Sequence, residues 1–97
     1  MKKIEAFVKT SRLDEIVNRL RLIGATGMTV TAVHGLGTKS APRYQLMVVV
    51  HDEDAAHIVA AIVQAGRTNS PGDGIVTVMD VDGVMRIRTN EIDAEAL

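Results

Sequence analysis

The apolar residues of this chain switch their spacing from two to about 3.6 and back, twice over, and few folds accommodate that order. Residues 2–9, KKIEAFVK, alternate, with Ile4, Ala6 and Val8 on one face and Lys3, Glu5 and Phe7 on the other, the pattern of a strand with one buried side. Over 12–23 the spacing becomes helical, through Leu13, Ile16, Val17, Leu20 and Ile23, with Arg19 and Arg21 on the opposite side. Ser11 stands where it can cap this helix. Asp14 and Glu15 fall in its first turn, where the helix dipole favours negative charge. Gly24 and Gly27 end the helix and turn the chain.

The second half repeats the alternation. Residues 28–34, MTVTAVH, read as a strand, broken by Gly35-Leu36-Gly37 and a loop over 38–42. Residues 43–50, RYQLMVVV, become wholly apolar, as a central strand does. Asp52, Glu53 and Asp54 open a second helix, whose buried face is Ala55, Ala56, Ile58, Val59, Ile62 and Val63, and Gly66 ends it. Residues 67–74, RTNSPGDG, are dense in turn formers, 75–81 read as a fourth strand, and 84–88, VMRIR, as a short additional one. The order β-α-β-β-α-β predicts an α+β, ferredoxin-like fold: a four-stranded antiparallel sheet with two helices on one face. Met47, Val49 and Val78 are expected on the opposite sheet face, and an uncovered apolar face calls for a partner, most simply further copies of the chain.

The composition narrows the functional classes. The 97 residues fit one domain, 1–97, and 46% of them are hydrophobic although Phe7 and Tyr44 are the only aromatics. A net charge of −1 argues against a general electrostatic grip on nucleic acid. The absence of cysteine excludes disulfides and thiolate metal sites. No apolar run approaches the length of a membrane span, so no membrane insertion and a cytoplasmic location are expected. His51 and His57 lack the spacing of a helical metal pair, and no metal site, catalytic dyad or triad is legible.

Four segments carry a more specific message: MKKIEAFVK at the start, GMTVTAVHGLG at 27–37, RTNSPGDGIVTV at 67–78 and VMRIRT at 84–89. In this order and spacing the chain resembles the PII signalling family, with its long signalling loop cut short. The resemblance implies a homotrimer that binds an adenine nucleotide (ADP, AMP or ATP) in clefts between subunits and signals through contacts with a target protein, without catalysis.

Two readings attach to each candidate residue. Gly72-Asp73-Gly74 is either an ordinary turn, the commoner meaning of such spacing, or a cradle whose backbone N–H groups approach phosphate oxygens. Arg86 and Arg88 flank Ile87, so on a strand they project together, either into solvent beside acidic neighbours or as a clamp on a polyphosphate. Arg67 either caps the second helix or, with Thr68, lies near the nucleotide. For Met28 and Val49 the plain reading is core, where such residues usually go. By resemblance, Gly27, Met28 and Thr29 lie against the adenine, Gly35, Leu36 and Gly37 pass close to ribose and phosphates, Val49 forms an apolar wall, and Arg86 and Arg88 reach phosphates. The family usually has a glutamine where this chain has Lys39, and a phosphate-binding lysine where it has Ile75. The first change, with the short loop, implies a weakened or lost response to magnesium and 2-oxoglutarate. The second implies that ADP or AMP competes with ATP.

Some PII-like relatives serve inorganic-carbon handling, so a transporter, an enzyme or a carboxysome component are all candidate targets. Bicarbonate would then have Lys39, Arg43 and nearby backbone amides as its anion site. A weak ATP phosphohydrolase and a ligand-free trimeric adaptor are the competing expectations.

Overall fold

A computed structural model describes residues 1–25, 27–35 and 41–97. Its strands are β1 (Lys2–Lys9), β2 (Thr29–Gly35), β3 (Ala41–Val50) and β4 (Gly74–Asp80), and its helices are α1 (Leu13–Leu22) and α2 (Asp52–Gly66). The strands form one antiparallel sheet in the order β2-β3-β1-β4. This is the ferredoxin-like βαββαβ arrangement that the spacing of the apolar residues predicts.

The alternation in β1 sets the core. Ile4, Ala6 and Val8 are buried and meet Leu46, Val48 and Val50 of β3 on the same face. Ile16 and Leu20 of α1, with Ile58, Ala61, Ile62 and Ala65 of α2, cover that face. Burial of a large aliphatic side chain contributes about 1.5–3 kcal/mol, so the cluster outweighs any surface ion pair. α2 begins beneath the amino terminus: the Met1 ammonium lies 2.7 Å from Asp52 Oδ1.

Four local expectations change. Ser11 is not a cap. It sits within a 3-10 turn, Thr10–Arg12, and α1 starts after Arg12 with no side-chain cap. Arg12 instead donates from Nε and Nη2 to the Ala65 carbonyl at 2.8 and 2.6 Å, so it satisfies the C-terminal end of α2. β3 starts at Ala41, earlier than expected, because β2 and β3 stay paired out to Gly35 and Ala41. Val78 pairs with Ile4 and therefore shares the helix-covered face, whereas Met79 pairs with Lys3 and joins Met47 and Val49 on the other.

The segment 84–88 is not a strand. Met85 makes a single bridge to Ile92, and the chain turns through 87–89. Arg86 donates its N–H to the Glu91 carbonyl at 2.8 Å, and Asn90 donates to the Arg86 carbonyl at 2.9 Å. Asn90 adopts φ 61°, a left-handed conformation that asparagine tolerates. The turn leaves Ile87 96% exposed, so the alternation of VMRIR serves no buried face. A second 3-10 turn, Asp93–Ala96, closes the chain.

Candidate functional site

At one end of the sheet, where β1 finishes, the RTNSPGDG turn is organised by one carboxylate. Asp73 Oδ2 accepts the backbone N–H groups of Thr68 and Asn69 at 2.8 and 3.0 Å, and Oδ1 accepts the Thr68 hydroxyl. The Lys9 ammonium lies 3.1 Å from Asp73 Oδ1 and donates to Thr68 Oγ1 and Ser70 Oγ at 3.0 and 2.7 Å. The bonds from the Thr68 hydroxyl and backbone N–H, reinforced by Lys9, hold the Asp73 carboxyl well below its ordinary value. Asp73 is thus an internal clamp of the turn. A carboxylate facing a phosphate would repel it, and here the charge is turned towards Thr68 and Lys9.

The sign of the pH dependence follows. A carboxyl that is more acidic folded than unfolded contributes stability that is fully present above its unfolded pKa, near 4, and lost as the pH falls below that. Asp73→Asn is therefore expected to be less stable than the wild type above about pH 4, with the gap narrowing towards about pH 2. Urea unfolding across that range measures it, and a gap that does not change with pH contradicts the clamp.

Two glycines shape the same turn. Gly72 has φ +89°, and a Cβ there would lie 2.8 Å from Arg43 Nη2, so the guanidinium rests directly over it. Gly74 has φ +102° and lies flush against the Phe7 carbonyl. Arg67 is exposed, and its N–H continues α2 by bonding Val63 O at 3.0 Å. Since Arg12 occupies the helix-capping position, the Arg67 side chain remains at the rim of a cavity of about 350 Å³, with Phe7, Asp73, Gly74 and Ile75.

The opposite end of the sheet holds a larger cavity, of about 490 Å³. It exists because β2 pairs with β3 only as far as Thr29↔Met47, which leaves the last residues of β3 without a neighbour on that side. Gly24, Ala25 and Gly27 line it from the α1–β2 connection, Met47 and Val49 from β3, and His51, Asp54 and His57 from the start of α2. Arg86, Ala96 and Leu97 close it.

The candidate residues therefore fall into two groups. Gly27, Val49 and Arg86 share the larger cavity. Met28 lines an adjoining groove with Gly27 and Val30, and Thr29 is exposed at the start of β2. Thr68, Gly72, Asp73 and Gly74 lie with Arg43 and Lys9 at the other end. Gly35 ends β2, and Arg88 is exposed in the 87–89 turn. Leu36, Gly37 and Lys39 lie outside the described residues. In β1 register, Val49 pairs with Lys3 and Gly74 with Val8, a separation of about 16 Å at roughly 3.3 Å per residue. Within one copy the sheet stands between the two groups.

Sequence reasoning missed Lys9, Asp54 and the C-terminal Ala96 and Leu97, and weighed His51 and His57 only as a metal pair. Lys9 touches residues about sixty positions away, and no local pattern announces such a contact. Among the described residues no group of three or more His, Asp or Glu side chains is placed to hold a metal ion. No described helix is long and apolar enough to cross a membrane.

Comparison with known proteins gives this geometry a context. The profile of the family described as "Nitrogen regulatory protein P-II" matches residues 1–91. The chain belongs to the P-II family. It is 37% identical to the Nitrogen regulatory protein P-II of Pasteurella multocida, with both chains covered in full. It is 36% identical to Nitrogen regulatory protein P-II 1 of Escherichia coli K12, again over both whole chains. It is 35% identical to Nitrogen regulatory protein P-II 2 of Methanothermobacter thermautotrophicus, across the whole of this chain and 97% of that one. These alignments run over 112 positions against 97 residues, so the P-II relatives carry residues that this chain lacks.

Proposed function

We propose that this P-II protein is a non-catalytic regulator that binds an adenine nucleotide between subunits of a homotrimer and signals through contacts with a target protein. The observation that carries the reading is the separation of the two groups of candidate residues. Gly27, Val49 and Arg86 occupy one end of the sheet, the Gly72-Asp73-Gly74 turn the other, and the sheet fills the space between. In a ring of copies, the cavity end of one subunit faces the glycine turn of the next, and one ligand then spans both. The apolar wall at Val49 suits a purine. The Gly72-Asp73-Gly74 turn, with the Arg43 guanidinium over Gly72, suits phosphate oxygens, as does the Arg86 guanidinium. The exposed Met79, Ile75 and Val30 give such a ring apolar surface to bury.

A small anion, bicarbonate among them, is a second proposed effector. Its support is Arg43, whose guanidinium lies over Gly72 with the stem of Lys9 nearby. The Lys9 ammonium is already engaged by Asp73, whereas Arg43, bonded through Nη1 to the Pro42 carbonyl, has its other donors to offer there.

A thermal-shift series tests the reading. A ligand that binds only the native state raises its stability by about 2.7 kcal/mol at a hundredfold excess over Kd. At least one of AMP, ADP and ATP is therefore expected to raise the melting temperature by several degrees, and bicarbonate to add to the shift. Melting temperatures unchanged by all three adenylates contradict the proposal.

A further inference from the structure

We infer that the C-terminal segment, residues 91–97, is an internal competitor in the wall of the larger cavity, which holds Arg86 in the absence of ligand and releases it when a phosphate-bearing ligand arrives. The inference rests on the adenylate reading above and adds a competitor to it. Arg86 Nη2 donates to the Ala96 carbonyl at 2.8 Å, and Arg86 Nε lies 3.9 Å from Glu91 Oε1. A carbonyl and a carboxylate are thus offered to the forked face of the guanidinium, the same face that a phosphate takes in paired hydrogen bonds. Ala96 is 6% exposed and lines the cavity together with Leu97, Gly27 and Val49, so the segment forms part of the wall that an entering ligand meets. The segment is also anionic, with Glu91, Asp93 and Glu95, which matches it to the cation it occupies.

The attachment is slight outside that contact. Among the described residues beyond Asp82, Ala96 alone is buried. The other ties are local: the backbone bonds Arg86 N–H to Glu91 O and Asp93 N–H to Val84 O, both 2.8 Å, the Val84 N–H to Asp93 Oδ1 at 3.4 Å, and the Thr89 hydroxyl to Glu91 Oε1 at 2.7 Å. Asn90 and Asp93 both hold left-handed backbones, φ 61° and 54°, a region that Asn and Asp tolerate but that extended backbone competes with. Those two positions are where the segment can swing away. A ligand that takes Arg86 must break one charge-assisted hydrogen bond and eject one small buried side chain, so the segment lowers apparent affinity without abolishing binding.

The test uses the full chain and ADP as the probe. In Ala96→Gln, a longer neutral side chain does not fit the buried position and adds no charge. ADP is expected to bind this variant about tenfold more tightly than the wild type by titration calorimetry. In the wild type, ADP is expected to speed hydrogen exchange at the Asp93 amide. Equal affinities with unchanged exchange at Asp93 overturn the competitor while leaving nucleotide binding intact. Absence of ADP binding to either protein overturns the competitor and the adenylate reading together. The exchange measurement needs no variant, so a folding defect in Ala96→Gln does not blunt the test.

Discussion

Gly74→Ala is expected to lower the stability of the protein by roughly 3 kcal/mol or more, a large share of what a domain of this size possesses. Gly74 opens β4, pairs with Val8 and holds φ +102°, a conformation that side chains rarely adopt. A Cβ at this position would drive into the Phe7 carbonyl, with the carbonyl carbon at 2.9 Å. That obstacle is the backbone of an inner strand, so no rotamer change relieves it, and the end of the β1–β4 pairing must open. Gly24 provides the comparison. It also has a positive φ, +87°, but a Cβ there meets nothing within 4 Å. Gly24→Ala should cost only the backbone term, about 1–2 kcal/mol. Urea unfolding of the two variants measures the difference, and equal losses contradict the close approach at Gly74.

The same turn shows what a sequence conveys and where it stops. The six-element order was legible because each element carries its own period: Ile4, Ala6 and Val8 alternate, and Ile16 and Leu20 recur at a helical interval. Faces were harder to read. GIVTVMD is apolar on both sides, so nothing local distinguishes Val78, which lies towards α2, from Met79, which lies away from it. The cap of α1 was misread because Ser11 has the right chemistry, while the partner that decides the geometry, the Ala65 carbonyl, lies far along the chain. VMRIR alternates like a strand, yet Thr89 and Asn90 turn it back onto Glu91, and the turn prevails. For the candidate site, the residue types were legible and their grouping was not. The split between the Val49 end and the Gly74 end depends on strand register, which the sequence does not display.

Ile75→Lys is expected to raise the affinity for ATP relative to ADP by about tenfold or more, the range of a charge-assisted hydrogen bond to a phosphate. Ile75 follows the glycine turn directly, pairs with Phe7 and lines the smaller cavity with Arg67 and Asp73. It is 62% exposed, so a lysine stem fits there with little loss of packing, and the ammonium reaches beyond the turn towards solvent or ligand. In the wild type this position contributes no charge. The cations near the turn are Lys9, which Asp73 engages, Arg43, which lies over Gly72, and Arg67, which lines the same cavity. Under the proposed function, ATP then gains little from its third phosphate. Paired titrations of the variant with ADP and ATP give the ratio, and a ratio equal to that of the wild type contradicts the role assigned to this position.

Whether the wild-type chain binds an adenine nucleotide in its cleft at all is measured directly by titration calorimetry of the assembled protein with AMP, ADP and ATP. The expected result is saturable binding of ADP, approaching one per subunit, with ATP binding no more tightly. No saturable heat from any of the three adenylates would contradict the account.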